Sequence, residues 1–308
     1  MKTQISYGKF NISLHRTYAA PLEVAAIAES EFTGRNNNLF AVDVSVEVFG
    51  NNFLPAYTHG DNSMVVATDS MKNFILKESA NFTGCTLEGL LEFLGKSFLA
   101  TYPQMESLRM MGRELPFLAA RVPGKNGFEN SDLLHFPTNG DAATASLYLE
   151  RDSAASNRNG SQVIDLECGR EGFQLLKIAG SSFAAFVRDD YTTLPELKDR
   201  PLFIHMDLNW HYSSISDGLG VEKYVPSEQI ADICRVIFHE FNSKSIQELV
   251  YKFGERILER FPQLESVSFE AQNHTWDKAA ELAGSDKVKV FWEPKVPYGY
   301  ISLTMTRD

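Results

Sequence analysis

Sliding this chain by 159 positions lays one part of it over another. Thr86 falls on Ser245, Leu90 on Leu249, Gly95 on Gly254 and Leu99 on Leu258. Tyr102-Pro103-Gln104-Met105-Glu106-Ser107 meets Phe261-Pro262-Gln263-Leu264-Glu265-Ser266. Two amphipathic helices can share a leucine phase by coincidence. A Pro-Gln-x-Glu-Ser run shared after both helices is not a matter of phase. A long internal period of this kind implies a fold built by joining two equivalent halves.

The elements repeat in the same order. Alternation of apolar and polar residues predicts strands over Tyr7–Tyr18 and Leu39–Phe49. Helical spacing predicts helices over Ser70–Ser79 and Thr86–Thr101. Leu87, Leu90, Leu91, Leu94, Phe98 and Leu99 share one face of the second helix, and Pro103 marks its stop. Strands are expected at Ser107–Met111, Phe117–Arg121 and Thr144–Leu149. The small, polar stretch Asp152–Ser161 reads as a linker. Beyond it, strands are expected at Phe173–Ile178 and Leu202–Tyr212, and helices at Ser227–Phe241 and Ser245–Arg260. Strands return at Ser266–Glu270 and Gly299–Thr306. The expected class is α+β, with halves over residues 1–152 and 161–308, each an antiparallel sheet with helices on one face. Open sheet edges favour pairing with further copies in a closed, symmetric oligomer.

Charge and motifs narrow the chemistry. With 29 Lys and Arg against 40 Asp and Glu, the net charge of -11 argues against nucleic acid or an anionic membrane as partner. No run of about 18 apolar residues suggests a membrane span. Cys85, Cys168 and Cys234 lie far apart, which fits a reducing compartment better than a disulfide framework. With no secretory pattern at the start, the expected location is cytoplasmic. No two histidines stand at i, i+4, and there is no Cys-x-x-Cys. Glycine-rich nucleotide loops and the Gly-x-Ser-x-Gly elbow are also missing. The chemistry is therefore expected to need no metal and no tightly held cofactor.

Three stretches stand out. Val65–Ala67 runs like a strand into Thr68-Asp69-Ser70 at a helix start. Those residues either cap the helix or present amides and a hydroxyl to a ligand. Phe173–Arg200 contains Thr193-Leu194-Pro195-Glu196, which reads as a capping box. Ser245-Ile246-Gln247 opens a helix, and Gln272-Asn273-His274-Thr275-Trp276 follows it. Taken singly, Phe183 reads as core and Arg200 as the surface ion-pair partner of Asp199 or Asp190. Gln247 reads as a solvated first-turn residue, and Lys9 as an exposed strand lysine.

Together these stretches resemble the urate oxidase (uricase) family, in its bacterial form. The resemblance runs over nearly the whole chain. It includes Tyr7-Gly8-Lys9, Gly60-Asp61-Asn62-Ser63 leading into Thr68-Asp69-Ser70, Ser182-Phe183 with Thr192-Thr193-Leu194 and Asp199-Arg200, and Pro297-Tyr298-Gly299. It implies a tandem pair of tunnelling folds (T-folds), a barrel closed by two subunits, and a homotetramer of two stacked barrels. The implied reaction is oxidation of urate by molecular oxygen to 5-hydroxyisourate and hydrogen peroxide, without a cofactor.

The resemblance also implies roles. Phe183 would stack on the flat substrate. Arg200 would clamp the anion with its planar fork. Gln247 would pair through its amide and Ile246 through its backbone N–H. Thr68 and Asp69, from another subunit, would add backbone amides. Lys9 and Thr68 would move protons, which requires Lys9 to be partly buried so that it can give up its charge. Asn273 would hold oxygen or peroxide above the ring. Many members carry Asn-x-His, whereas here the order is Asn273-His274-Thr275, so His274 and Thr275 compete for the third relay position. Two alternatives stand beside this reading. One is another T-fold purine or pterin enzyme, which generally needs a His/Cys metal cluster. The other is a purine-binding oligomer without catalysis.

Overall fold

The computed structural model describes residues 3–138, 140–152, 160–285 and 287–308. They divide into two units. The first comprises Met1–Ala25, Phe32–Gly169 and His211–Tyr224; the second comprises Ala26–Glu31, Arg170–Trp210 and Val225–Asp308. In chain order the main elements of the first unit are β1 (Ser6–Thr17), β2 (Leu39–Phe49), α1 (Thr68–Glu78), α2 (Leu87–Thr101), β3 (Ser107–Glu114), β4 (Phe117–Gly124), β5 (Gly127–Pro137) and β6 (Ala142–Arg151). Next come β7 (Ser161–Lys177) and β8 (Leu202–Tyr212), and the division between the units falls within each of them. The second unit continues with α3 (Ser227–Glu240), α4 (Ile246–Arg260), β9 (Leu264–His274), β10 (Asp277–Glu281), β11 (Lys289–Trp292) and β12 (Gly299–Thr306).

Strand neighbours run β1-β2-β3-β6-β7 in the first unit and β7-β8-β9-β12 in the second. The registers of β1 with β2, β2 with β3, β3 with β6, and β9 with β12 are antiparallel. The fold is therefore α+β. Helix α2 packs on β3 and β6, and α4 packs on β9 and β12. Among the described residues, no helix is long and apolar enough to cross a membrane.

The 159-residue shift survives into the packing. Leu87, Leu90, Leu91, Leu94, Gly95, Phe98 and Leu99 are buried on α2. Their counterparts on α4 are Ile246, Leu249, Val250, Phe253, Gly254, Ile257 and Leu258, and all are buried. Each helix approaches its sheet through the shared glycine. A Cβ on Gly95 would come within 2.9 Å of Leu149, and one on Gly254 within 2.5 Å of Met305.

Both helix ends repeat as well. The Thr86 hydroxyl accepts from the Gly89 N–H at 3.2 Å, and that of Ser245 from the Glu248 N–H at 3.1 Å. These are N-caps that satisfy an otherwise unpaired amide. The caps at the far ends have φ, ψ of -117°, 86° at Tyr102 and -117°, 83° at Phe261. Arg151 donates to the carbonyls of Leu99, Tyr102 and Met105. Arg307 donates to those of Leu258, Phe261 and Leu264, the same three positions after the shift. A guanidinium there answers the unsatisfied carbonyls at the negative end of the helix dipole.

Several expectations needed correction. Strand β7 begins at Ser161, twelve residues before the expected Phe173. Its first half alternates Ile164, Leu166 and Cys168 with Asp165 and Glu167, and strand neighbours on both sides hold it extended. The β4–β5 hairpin and the β10–β11 hairpin exceed what the sequence suggested. Of the expected linker, residues 153–159 lie outside the described residues. Its flanks are joined by the Asp152 N–H and the Gly160 carbonyl at 2.9 Å. Residues Ala26–Glu31 belong to the second unit, where Glu29 is 8% exposed and accepts from Arg256 at 3.2 Å and Arg260 at 2.8 Å.

Candidate active site

The Phe183–Arg200 stretch is closed by its own backbone. The Ser182 N–H donates to the Ser243 carbonyl at 2.8 Å. Phe183 and Leu197 exchange N–H and carbonyl at 2.8 and 3.0 Å, and the Arg200 N–H donates to Ser181 at 2.8 Å. These bonds bring residues 17 apart together, so the Arg200 guanidinium lies 5.3 Å from the centre of the Phe183 ring. At the tip, the Asp189 carboxylate accepts from the Tyr191 N–H and the Thr192 hydroxyl. No helix opens at Thr193-Leu194-Pro195-Glu196, contrary to the capping-box reading. The Glu196 carboxylate instead accepts from the Ala185 N–H at 3.2 Å.

Arg200 is not a surface residue. It is 8% exposed and makes no ion pair among the described residues. Asp199, the expected partner, accepts from the Gly180 N–H at 2.6 Å. Burial pulls the Arg200 pKa below its ordinary value, but a guanidinium so placed still keeps its charge at neutral pH.

The Ser182–Ser243 bond ties this loop to the start of α4. Ser245 caps that helix, and Glu248 reaches back to the Lys244 N–H at 3.2 Å. Ile246 and Gln247 are its first two residues, whose N–H groups have no partner within the helix. Strand β9 supplies the third wall. Alternation along the strand sends Asn273 and Thr275 to one side and His274 to the other.

Phe183, Arg200, Ile246, Gln247, Asn273 and Thr275 all line one cavity of about 230 Å³. All belong to the second unit. Among the described residues, Arg200 Nε and Asn273 Oδ1 are buried there without a hydrogen-bond partner. Buried polar groups are ordinarily paired, so both are placed to serve a ligand. A flat anion with acceptors and donors around its rim suits this set: an aromatic face, a planar cation, a planar amide and helix amides. A larger cavity of about 440 Å³ sets Ile237 and Phe241 beside Glu240, Lys252, Glu255, Arg256 and Glu259. Among the described residues, no group of three or more His, Cys, Asp or Glu is placed to hold a metal ion.

His274 is a correction. It does not line the cavity. Its ring packs 4.1 Å from His205 and 5.4 Å from Tyr298, and its Nε2 meets the side-chain Oε1 of Gln272 at 3.2 Å. Burial, then the neighbouring His274, lowers the pKa of His205, while Glu293 acts the other way. Thr275 occupies the cavity wall instead. The wall also includes Leu194 and Gly299-Tyr300-Ile301, to which the sequence reading gave no role. Pro297-Tyr298-Gly299 was the available signal, and Gly299 pairs with Asn273 across the sheet.

Lys9, Thr68 and Asp69 belong to the first unit, and none lines this cavity. Lys9 is half-buried on β1. The adjacent Gly8 is demanded by the sheet, since a Cβ there would lie 2.0 Å from the Val46 carbonyl. The Tyr7 hydroxyl accepts from the Val66 N–H at 3.0 Å, tying β1 to the segment that enters α1. Thr68 and Asp69 are the first residues of α1, whose cap is Ala67 with no side-chain bond. Thr68 is therefore no cap, and the leading amides of α1 are not answered by a side-chain cap. The Asp69 carboxylate accepts from Lys72 at 2.6 Å and Asn73 at 3.0 Å. Lys72 holds it below the usual carboxylate range, with Lys9 adding to the effect.

A family model described as Uricase matches residues 14–144 and 166–302. The uricase of Halalkalicoccus jeotgali is 46% identical over 99% of this chain and 98% of its own. The uric acid degradation bifunctional protein of Bacillus sp. strain TB-90 is 44% identical over 98% of this chain, which spans 60% of that protein's length. The crystal structure of urate oxidase from Bacillus sp. TB-90 superposes with a TM-score of 0.93 at 45% identity. The match covers 98% of this chain and 100% of that one.

Proposed function

The chain belongs to the uricase family and oxidises urate with molecular oxygen, and from that premise we propose how its residues do so. The observation that carries the proposal is the cavity in which Arg200, Phe183, Gln247 and Asn273 converge. Urate lies against the Phe183 ring. The Arg200 fork takes two rim acceptors and balances the charge. The Gln247 amide pairs with a ring N–H and a neighbouring carbonyl, and the Ile246 N–H adds a donor.

Lys9 and Thr68 take a further proton from bound urate, and the more electron-rich ring then gives electrons to oxygen held by Asn273. Two electrons and two protons leave urate for O2 and form hydrogen peroxide. Water then adds to the oxidised ring to give 5-hydroxyisourate. The protein supplies proton removal, position and a seat for oxygen. Thr275, on the same side of β9 as Asn273, takes the third relay position.

The cavity wall comes from the second unit alone, so Lys9, Thr68 and Asp69 reach it from another copy of the chain. Two copies close a barrel, and two barrels form a homotetramer. The matched hydrogen bonds of α2 and α4 support descent of residues 1–152 and 161–308 from one T-fold unit. The three buried, unpaired cysteines suit a cytoplasmic setting.

Mixing subunits tests this arrangement. Lys9→Met and Arg200→Ala proteins, each strongly impaired, are dissociated and reassembled together. Loss of the urate near-ultraviolet band and release of peroxide should return, because some interfaces then pair an intact Lys9 with an intact Arg200. Verified mixed oligomers without activity would remove the shared site. A wild-type protein that never bleaches urate would remove the reaction itself.

A further inference from the structure

The shift that matches α2 to α4 also matches positions within the site. Gln247 corresponds to Glu88, and Asn273 corresponds to Glu114. Strands β2 and β8 hold equivalent places in the orders β1-β2-β3-β6 and β7-β8-β9-β12. An arginine precedes each strand: Arg35 lies four residues before β2, and Arg200 lies two residues before β8. Both guanidiniums lie near a phenylalanine ring, at 6.0 Å from Phe40 and 5.3 Å from Phe183. Arg35, Glu88 and Glu114 are gathered in the first unit. Arg35 donates to both oxygens of Glu114, at 2.8 and 2.5 Å. The Glu114 charge also acts on Glu88. Both residues stand on the first turn of their helix, where Glu88 is 4% exposed on α2 and Gln247 is exposed on α4.

Resting on the reading of the Arg200 cavity as the urate site, we propose that the first unit carries a sealed twin of that site, in which the Glu114 carboxylate sits on Arg35 where the substrate anion sits on Arg200. A planar carboxylate matches the guanidinium fork in two parallel bonds, as a planar purine anion would. The twin also lacks the means for proton transfer. Thr68 of the catalytic pair corresponds to Ser227, which is 3% exposed and accepts from Arg170 Nη1 at 2.9 Å. Under the same shift Lys9 corresponds to Cys168, a buried thiol whose pKa burial pushes well above its ordinary value. A thiol that keeps its proton cannot take one as Lys9 does. Each chain therefore holds one working urate site.

The test removes the internal anion. Glu114→Gln keeps the shape of the side chain and frees the Arg35 fork for a small planar carboxylate. Formate should raise the thermal midpoint of Glu114→Gln well beyond its effect on wild type and beyond chloride at the same ionic strength. Urate turnover at the Arg200 cavity should stay within about twofold of wild type. The response should vanish in Arg35→Gln/Glu114→Gln. If Glu114→Gln does not fold alone, the soluble yield with formate is compared with the yield with chloride.

A formate effect equal in wild type and variant, one that persists without Arg35, or no gain in yield would overturn the proposal. Anaerobic titration of wild type with urate should give one binding event per chain, lost in Arg200→Ala. Two events per chain would also overturn the twin. A single event that survives Arg200→Ala would instead refute the reading of the urate site.

Discussion

Burial holds the Glu88 carboxyl well above the usual carboxylate range. It is 4% exposed, and one of its oxygens has no hydrogen-bond partner among the described residues. Burial pushes its pKa from 4.5 to about 7, and the nearby Glu114 charge adds to the shift. Hydrogen bonds from Cys168 and Tyr224 oppose it only in part. A carboxyl whose pKa is higher in the folded than in the unfolded chain favours folding fully below pH 4.5. That contribution is lost as the pH rises toward about 7. Across this interval of about 2.5 pH units, at about 1.36 kcal/mol per unit, the loss is about 3 kcal/mol.

Glu88→Gln removes the titration and keeps the shape. Relative to wild type, it should gain about 3 kcal/mol of stability between pH 4.5 and pH 8. Urea unfolding at fixed protein concentration, repeated across that range, measures the difference. A wild-type-minus-variant difference that stays flat with pH would show that Glu88 is ionised in the fold. The argument from burial would then fail.

Arg200→Ala leaves the anion without its buried partner, which costs about 2–4 kcal/mol, or roughly 30- to 1000-fold in kcat/KM. Arg200→Lys should recover little of it, because an ammonium cannot reproduce the planar fork; steady-state kinetics of both variants checks this. Lys9→Met and Thr68→Ala should each lower kcat by about 100-fold or more with KM less changed, and a wild-type kcat in either would exclude the relay. Thr275→Val should lower kcat by about tenfold or more. His274→Gln should leave kcat within about threefold of wild type, because its side chain lies on the opposite side of β9 from the cavity. The reverse ranking in single-turnover kinetics would return the relay to His274.

The helices were the most legible part of the fold. Leu87, Leu90, Leu91, Leu94, Phe98 and Leu99 are apolar at helical spacing, and all are buried. Strand β7 was expected only at its end. Ile164-Asp165-Leu166-Glu167-Cys168 carries a period of two, but Gly169-Arg170-Glu171-Gly172 interrupts it, and hydrogen bonding to neighbours carries the strand across. Within the site, Phe183, Arg200, Gln247 and Asn273 were named by resemblance. Read singly, Phe183, Arg200 and Gln247 suggested something blander. Arg200 read as a surface ion pair, and the backbone closure at Ser181 and Leu197 is what turns it inward.

The sequence by itself determined the repeat, the two packed helices and the family. These are properties of residue order, and each can be read along one dimension. Only the tertiary structure decided that Thr275 rather than His274 faces the cavity, since one step along a strand reverses a side chain. Only the tertiary structure brought Glu114 onto Arg35, closing in one unit the kind of anion seat that Arg200 keeps open in the other. A guanidinium carries the same charge in both units, and the groups folded around it decide whether it meets its own chain's carboxylate or a ligand's.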